Sequence, residues 1–319
     1  MIFKRICASL LAGLLLVFCG CERLAEKFYP ETTGSPDTHF IPVDVEEGSV
    51  FFKDFDGNGL TLKKEPEKVV SLSVVATEII CGIGAGRYIT ALDEASSRLD
   101  GAPISAEVIP YFGVDVQKIT ELSPDLVFYS TATTDPLAIA SLKNSSLTLI
   151  RIPDSGGIAA AEANIRFISS LLFKDEIGEK VIASMRAEYE KTRLAAEIVG
   201  VRKTVYIEGA SQFIAYGGDA IVSELCALAG ADNVFADVKG TKNTNAAEVS
   251  SKDPQLVIVL STDPGKYDID KIRKREGIDQ IYASRTKSVF ALDYNKATRP
   301  TQNIISALRD IEQIMKNAK

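Results

Sequence analysis

Pro66-Glu67-Lys68-Val69-Val70-Ser71-Leu72-Ser73 runs directly into Ala76-Thr77-Glu78-Ile79-Ile80. A short β-branched run gives way there to helical spacing, and that change of period is the mark of a βα unit. Further on, Leu122-Ser123-Pro124-Asp125-Leu126-Val127-Phe128-Tyr129 reads as a second buried strand behind a short polar helix. The pattern returns with Thr204-Val205-Tyr206-Ile207, a helix from Ile221 to Ala229 that ends at Gly230, and Pro254-Gln255-Leu256-Val257-Ile258-Val259. The two Pro-x-Leu-Val strands lie 130 residues apart, a weak internal duplication. It predicts an α/β protein of two βα lobes with parallel sheets.

Between the lobes, Ser155-Gly156-Gly157 opens a segment with Ile158, Ala161, Ile165, Ile168 and Leu172 at helical spacing. This predicts a single crossover helix, and so a stiff hinge that clamps a ligand with modest closure. A second helix from Asp175 to Val199 carries Ile177, Val181, Met185 and Tyr189 as its core stripe, and the last carries Ile304, Leu308, Ile311 and Met315.

The N-terminus belongs to targeting rather than fold. Lys4 and Arg5 precede an apolar stretch from Ile6 to Phe18, too short to span a bilayer but suited to an export signal. Val17-Phe18-Cys19-Gly20-Cys21 resembles a bacterial lipobox, which makes Cys21 the residue expected to carry lipid and to become the new N-terminus. The organisation expected is a signal peptide over 1–20, an acidic tether over 21–50, an N-terminal lobe over 51–153, a connecting helix over 154–174 and a C-terminal lobe over 175–319. Loss of Lys4 and Arg5 takes the net charge from −7 to −9. Cys81 and Cys226 sit in apolar runs and are expected buried and unpaired.

Composition removes whole classes of function. With 319 residues, 46% hydrophobic and 25% charged, the chain can bury one large core or two ordinary ones. An excess of acid, with no dense basic block, argues against nucleic-acid binding. The single histidine, His39, falls in the tether, so a Ser-His-Asp triad, a histidine zinc site and most histidine acid–base chemistry are excluded from the body.

The ordered set of motifs resembles the helical-backbone (class III) periplasmic binding proteins of ABC importers for ferric siderophores, haem and cobalamin, over residues 51–315. The resemblance rests on the two segments quoted first, on Gly84-Ala85-Gly86, Gly230-Ala231-Asp232-Asn233-Val234-Phe235 and Asp253-Pro254, and on Arg299-Pro300 ahead of the last helix. It implies a receptor that captures a metal chelate between its lobes and hands it to a membrane permease with its ATPase. No cofactor and no chemistry on the ligand are expected. In such a fold strand-to-helix loops line the cleft, which makes Ser73, Val74, Tyr111, Phe112, Thr131, Phe213, Tyr216, Tyr294 and Arg299 the candidate ligand residues. The aromatic residues offer faces to a planar or aryl-bearing ligand, and Arg299 offers a fork for an anionic one. A ferric siderophore is the first expectation, a corrinoid the second. Haem or a smaller oxyanion is the third; for haem no axial histidine is available from the body, which leaves a tyrosinate or methionine ligand open. A sensing or scaffolding lipoprotein without transport is the alternative of another class.

The family's docking glutamates fall, by position, on Gln117 and Ala247. The docking charges are therefore expected to have shifted to Glu121 and Glu248, with Gln117 at the original place. The basic run Lys271, Arg273, Lys274 and Arg275 reads as a charged helix surface. Asp54, Asp56, Asn58 and Glu65 match the spacing of a calcium loop. Their flanks alternate like strands, however, and the expected structure is a hairpin turn.

Overall fold

The computed structural model describes residues 45–46, 49–55, 57, 59–132 and 134–319. Cys21 and His39, and Asp56 and Asn58 of the calcium-like stretch, lie outside them.

Three antiparallel strands, β1 (Val45–Glu46), β2 (Ser49–Lys53) and β3 (Gly59–Leu62), form the entry to the body, with Lys53 paired to Gly59. The calcium-like stretch is thus a hairpin, as its alternating flanks predict. The fourth residue of that spacing is otherwise engaged: Glu65 accepts from Lys174 Nζ at 2.5 Å and from Tyr88 Oη at 2.6 Å.

The first lobe is a five-stranded sheet of order β6-β5-β4-β7-β8, all pairs parallel. Its strands are β4 (Val69–Leu72), β5 (Ile89–Asp93), β6 (Glu107–Ile109), β7 (Leu126–Tyr129) and β8 (Leu149–Arg151). Every residue of β4 and β7 is buried, as parallel strands covered on both faces require. The helices are α1 (Val74–Gly82), α2 (Val116–Glu121) and α3 (Pro136–Lys143). Ser73, Asp115 and Asp135 cap them with side-chain oxygens, and Pro136 occupies the first turn of α3.

Two helices follow, α4 (Ile158–Leu171) and α5 (Asp175–Val199), within a residue or two of the spans read from periodicity. Phe173 breaks them apart at φ +54°. The buried stripe of α5 is Gly178, Ile182, Met185, Tyr189 and Thr192, while Ile177 is exposed. The expected stripe was thus rotated at its first two positions. Gly178 sets the true face, since a Cβ there would collide with the Ser169 side chain on α4.

The second sheet runs β12-β10-β9-β13-β14, with β11 also on β9. Its members are β9 (Lys203–Glu208), β10 (Ile214–Tyr216), β11 (Ala231–Asn233), β12 (Thr241–Asn243), β13 (Leu256–Ser261) and β14 (Val289–Asp293). Strands β11, β9, β13 and β14 are parallel, but β10 is antiparallel to both β9 and β12. The second sheet is thus dominated by parallel pairs, as expected, with β10 set antiparallel between β9 and β12. Helices α6 (Ile221–Leu228), α7 (Ala246–Lys252), α8 (Ile269–Arg273), α9 (Tyr282–Thr286), α10 (Tyr294–Thr298) and α11 (Ile304–Asn317) complete the lobe.

The duplication is visible atom by atom. Asp125 accepts hydrogen bonds from Glu67 N and Lys68 N at 2.9 Å each, tying the start of β7 to the entry of β4. Gln255 does the same in the second lobe, accepting from Thr204 N at 3.0 Å. The residue before each proline, Ser123 and Asp253, adopts positive φ, +49° and +38°. Cys226 is buried and Cys81 is half-exposed, against the expectation for Cys81; both are free thiols. Among the described residues no helix is long and apolar enough to cross a membrane.

Candidate functional site

Parallel strands deliver their following loops to one edge of the sheet. In the first lobe that edge holds Ser73 and Val74 after β4, Tyr111 and Phe112 after β6, and Thr131 after β7. Ser73 and Val74 are buried, and the Ser73 hydroxyl accepts from Ala76 N at 3.2 Å as the cap of α1. Neither side chain is open at this edge, which corrects the expectation for both. Tyr111 and Phe112 stack edge to face, ring centres 4.6 Å apart. Phe112 is 78% exposed. Thr131 is exposed on a loop that Asp154 holds by accepting from Ala132 N at 3.2 Å. Burial raises the Asp154 carboxyl above its ordinary range, and the hydrogen bonds it accepts from this loop partly offset that.

The second lobe is more tightly cross-linked. Tyr216 lies on β10 and Tyr294 at the start of α10; burial, and after it the neighbouring Tyr294 phenol, pushes the Tyr216 phenol well above its usual range. Gly209 packs closely against this strand: a Cβ there would stand 3.2 Å from Tyr216 Cε2 and 3.3 Å from Ile214 Cβ. Phe213, held at φ +56°, lies with its ring 4.7 Å from the Arg275 guanidinium carbon. Arg275 in turn makes a two-pronged pair with Glu208, 2.8 Å on each arm. Glu208 also accepts from Tyr206 Oη at 3.0 Å and from Phe213 N at 3.3 Å. Arg275 is therefore a half-buried strut beneath the loop, not part of a solvated helix surface. Sequence spacing could not reveal this, because Glu208 and Arg275 are 67 residues apart.

Arg299 is engaged rather than open. Its Nη1 donates to Glu78 Oε1 at 2.5 Å and its Nη2 to Asn295 Oδ1 at 2.9 Å. Glu78, on α1, also accepts from Thr301 Oγ1 at 2.8 Å and Asn303 Nδ2 at 3.1 Å, and its backbone oxygen accepts from Gln302 Nε2 at 2.8 Å. One carboxylate of the first lobe thus binds the whole turn that leads into α11. A second link comes from Glu224 on α6, whose Oε2 accepts from Ile158 N at 2.6 Å and so caps the crossover helix α4 from the other lobe. A side chain at Gly157 would collide with that carboxylate, and burial raises its pKa. The sequence signal for Glu78 was there to be read: a lone acid inside an apolar helix, Thr77-Glu78-Ile79-Ile80.

Of the docking positions, Gln117 and Glu121 lie on the exposed side of α2, where Gln117 Nε2 donates to Glu121 Oε1 at 3.1 Å. Glu248 is held by Lys242 at 2.5 Å and by Thr244 Oγ1 at 2.8 Å. Those bonds keep its carboxyl below the ordinary range, Lys242 first. Among the described residues no group of three or more His, Cys, Asp or Glu is placed to hold a metal ion.

Two sheets with their loop-bearing edges bridged by a helical crossover define a solute-binding protein of the class III type. The profile of the periplasmic binding protein family matches residues 69–295, and the chain belongs to that family. It is similar to YvrC of Bacillus subtilis (strain 168), an uncharacterized ABC transporter substrate-binding lipoprotein. The two are 24% identical over 315 residues, covering 96% of this chain and 94% of the relative. It is 25% identical over 269 residues to the vitamin B12-binding protein of Vibrio parahaemolyticus serotype O3:K6 (strain RIMD 2210633), with 82% and 94% covered. Among solved structures, a possible iron-binding (periplasmic solute-binding) protein from Staphylococcus epidermidis ATCC 12228 superposes with a TM-score of 0.70 at 20% identity. That match covers 79% of this chain and 99% of the other.

Proposed function

We propose that this protein is the lipid-anchored capture component of an ABC importer, and that its ligand is a corrinoid. The observation that carries the ligand class is the engagement of Arg299 by Glu78. The expectation of a ferric siderophore leaned on a free guanidinium at the cleft, and this one already has its carboxylate. What the loop edges offer instead are aromatic faces and phenol hydroxyls: Tyr111 and Phe112 on one lobe, Phe213, Tyr216 and Tyr294 on the other. Such groups suit a large ligand of low net charge, held by ring contacts and a few hydrogen bonds. A vitamin B12-binding relative supports the same reading. Haem is disfavoured by the lack of a histidine in the body.

On this reading Cys21 carries the lipid, the tether lifts the body off the membrane, and Gln117, Glu121 and Glu248 face the permease. The ligand is released unchanged.

Calorimetric titration of the full chain with cyanocobalamin, hemin and a ferric hydroxamate tests the proposal. Saturable binding of cyanocobalamin alone is expected, with a rise of about 2.7 kcal/mol in stability at a hundredfold excess over Kd. Binding of the ferric hydroxamate alone would overturn the corrinoid assignment and leave capture standing. Binding of none would overturn capture of this ligand class.

A further inference from the structure

The last two turns of α5 differ from the rest of the helix. Its inward stripe, Gly178, Ile182, Met185, Tyr189 and Thr192, is buried, as an amphipathic helix requires. On the outer side, where the same rule calls for polar residues, stand Leu194 and, one turn on, Ile198, which are 44% and 86% exposed. Val199 (70%) and Val201 (63%) continue them across Gly200, the left-handed residue that ends the helix. Packing within the lobe does not account for four exposed apolar side chains in so short a stretch, and such a cluster marks a contact surface.

Its surroundings are basic. A Cβ on Gly230 would stand 3.3 Å from Ala196 Cβ and 4.0 Å from both Met315 Cε and the Val201 carbonyl oxygen, so α11 and the turn into β11 adjoin this end. Lys203 Nζ donates to the Ala318 carbonyl at 2.5 Å and Lys319 N to Ser288 Oγ at 3.0 Å, which brings the entry to β14 here too. The acids close by are matched: Glu190 and Glu197 by Arg193, and Asp232 by Arg202 at 2.6 Å. Lys203 and the exposed Lys287 and Lys316 leave this end basic in a chain of net charge −7.

We propose that this end of the second lobe is a membrane-contact tip: Ile198, Val199 and Val201 enter the headgroup region of an anionic bilayer while the lysines rest on lipid phosphates. Apolar side chains flanked by cations suit that surface. A second copy of the chain suits it less, since tip-to-tip pairing would bring the same cations together. With the lipid anchor proposed above, the chain from Cys21 to Val45 can reach as far as about 80 Å, long enough to let the tip come down. Strands β9 and β13 begin at this end and, over six residues each, carry their following loops about 20 Å away. The tip thus holds the binding edge of the second lobe clear of the headgroups.

The chain contains no tryptophan, so a single introduced indole reports its own surroundings. Val199→Trp and, at the loop edge of the first lobe, Phe112→Trp are made in the full chain. Each is held on vesicles through an N-terminal hexahistidine tag and a nickel-chelating lipid, which makes the result independent of Cys21 acylation and of the corrinoid assignment. On vesicles of phosphatidylglycerol and phosphatidylcholine with brominated acyl chains, Val199→Trp emission should move to shorter wavelength and fall by about half as the indole meets the acyl boundary. Phe112→Trp emission should not change. Pure phosphatidylcholine, or Lys287→Gln together with Lys316→Gln, should remove most of the quenching. Val199→Trp emission that is unquenched, or quenched no more than that of Phe112→Trp, would overturn the tip, as would quenching indifferent to both charge changes. An emission shift that appears without vesicles and grows with protein concentration would also overturn it and assign the surface to a second copy.

Discussion

The two lobes share a plan and differ in how they hold their binding edges. In the first, the sheet is wholly parallel, and its edge carries Tyr111 and Phe112, which touch chiefly each other, and an exposed Thr131. In the second, an antiparallel hairpin interrupts the parallel order, and two candidate side chains are closely packed: Phe213 on Arg275, which Glu208 holds, and Tyr216 against Gly209. A braced edge loses little conformational entropy on binding, whereas a loose one can adapt. On the proposed reading, the second lobe is the template and the first is the cover.

The strongest way to break this contrast is to remove a brace. Arg275→Met leaves the Glu208 carboxylate buried without its cation and should cost about 3–5 kcal/mol in urea-induced unfolding. The corresponding change in the first lobe, Lys118→Met, breaks its exposed pair with Glu107 and should cost no more than about 1 kcal/mol. Comparable losses in the two lobes would defeat the contrast.

Asp93→Asn goes the other way. A carboxyl raised to about 6 in the folded chain binds its proton more tightly folded than unfolded, so native stability declines as pH rises from about 4 to 6. The asparagine variant should therefore be more stable than the parent at pH 7.5, by roughly 2–3 kcal/mol. The gain should vanish at pH 4. Melting curves at the two pH values decide it.

Gly209→Ala sharpens the account of the template. Its Cβ would press on Tyr216 and shift the ring, and we expect roughly a tenfold loss of cyanocobalamin affinity, about 1.4 kcal/mol, with a fold that stays intact by circular dichroism. An unchanged affinity would detach the tyrosine pair from the ligand. The smallest effect belongs to the cover: Phe112→Ser should alter stability by less than about 0.5 kcal/mol, with its cost confined to binding. A large drop in melting temperature would mean that this exposed ring supports the loop after all.

The fold was largely legible because local periodicity encodes it. Val69–Leu72, Leu126–Tyr129 and Leu256–Ser261 are buried strands as read, and α4 and α5 lie close to their predicted spans. The antiparallel strands β10 and β12 escaped, since three-residue strands such as Ile214–Tyr216 carry too little alternation to register. Much of the site escaped for a different reason. Ser73 looked like a cleft hydroxyl and is a helix cap; Arg299 looked like a free fork and is a bridge. Whether a polar group is available or spent depends on partners more than 200 residues away, as with Glu78 and Arg299, and no spacing rule reaches so far. Only the duplicated Pro124-Asp125 and Pro254-Gln255 strands announced a structural role, and both side chains proved to tie their sheets at equivalent points.

The four contacts on Glu78 span 221 to 225 residues of chain, which bears on biogenesis. The first helix of the first lobe cannot complete its polar contacts until the last twenty residues have emerged. At a synthesis rate of about 5–20 residues per second, that wait is on the order of ten to forty seconds. During it, a carboxylate stands unmatched in an otherwise apolar helix. A chain cut short before Arg299 would thus be defective at its beginning as well as its end, and proteolytic quality control would meet an unfinished first lobe in a protein whose missing part belongs to the second.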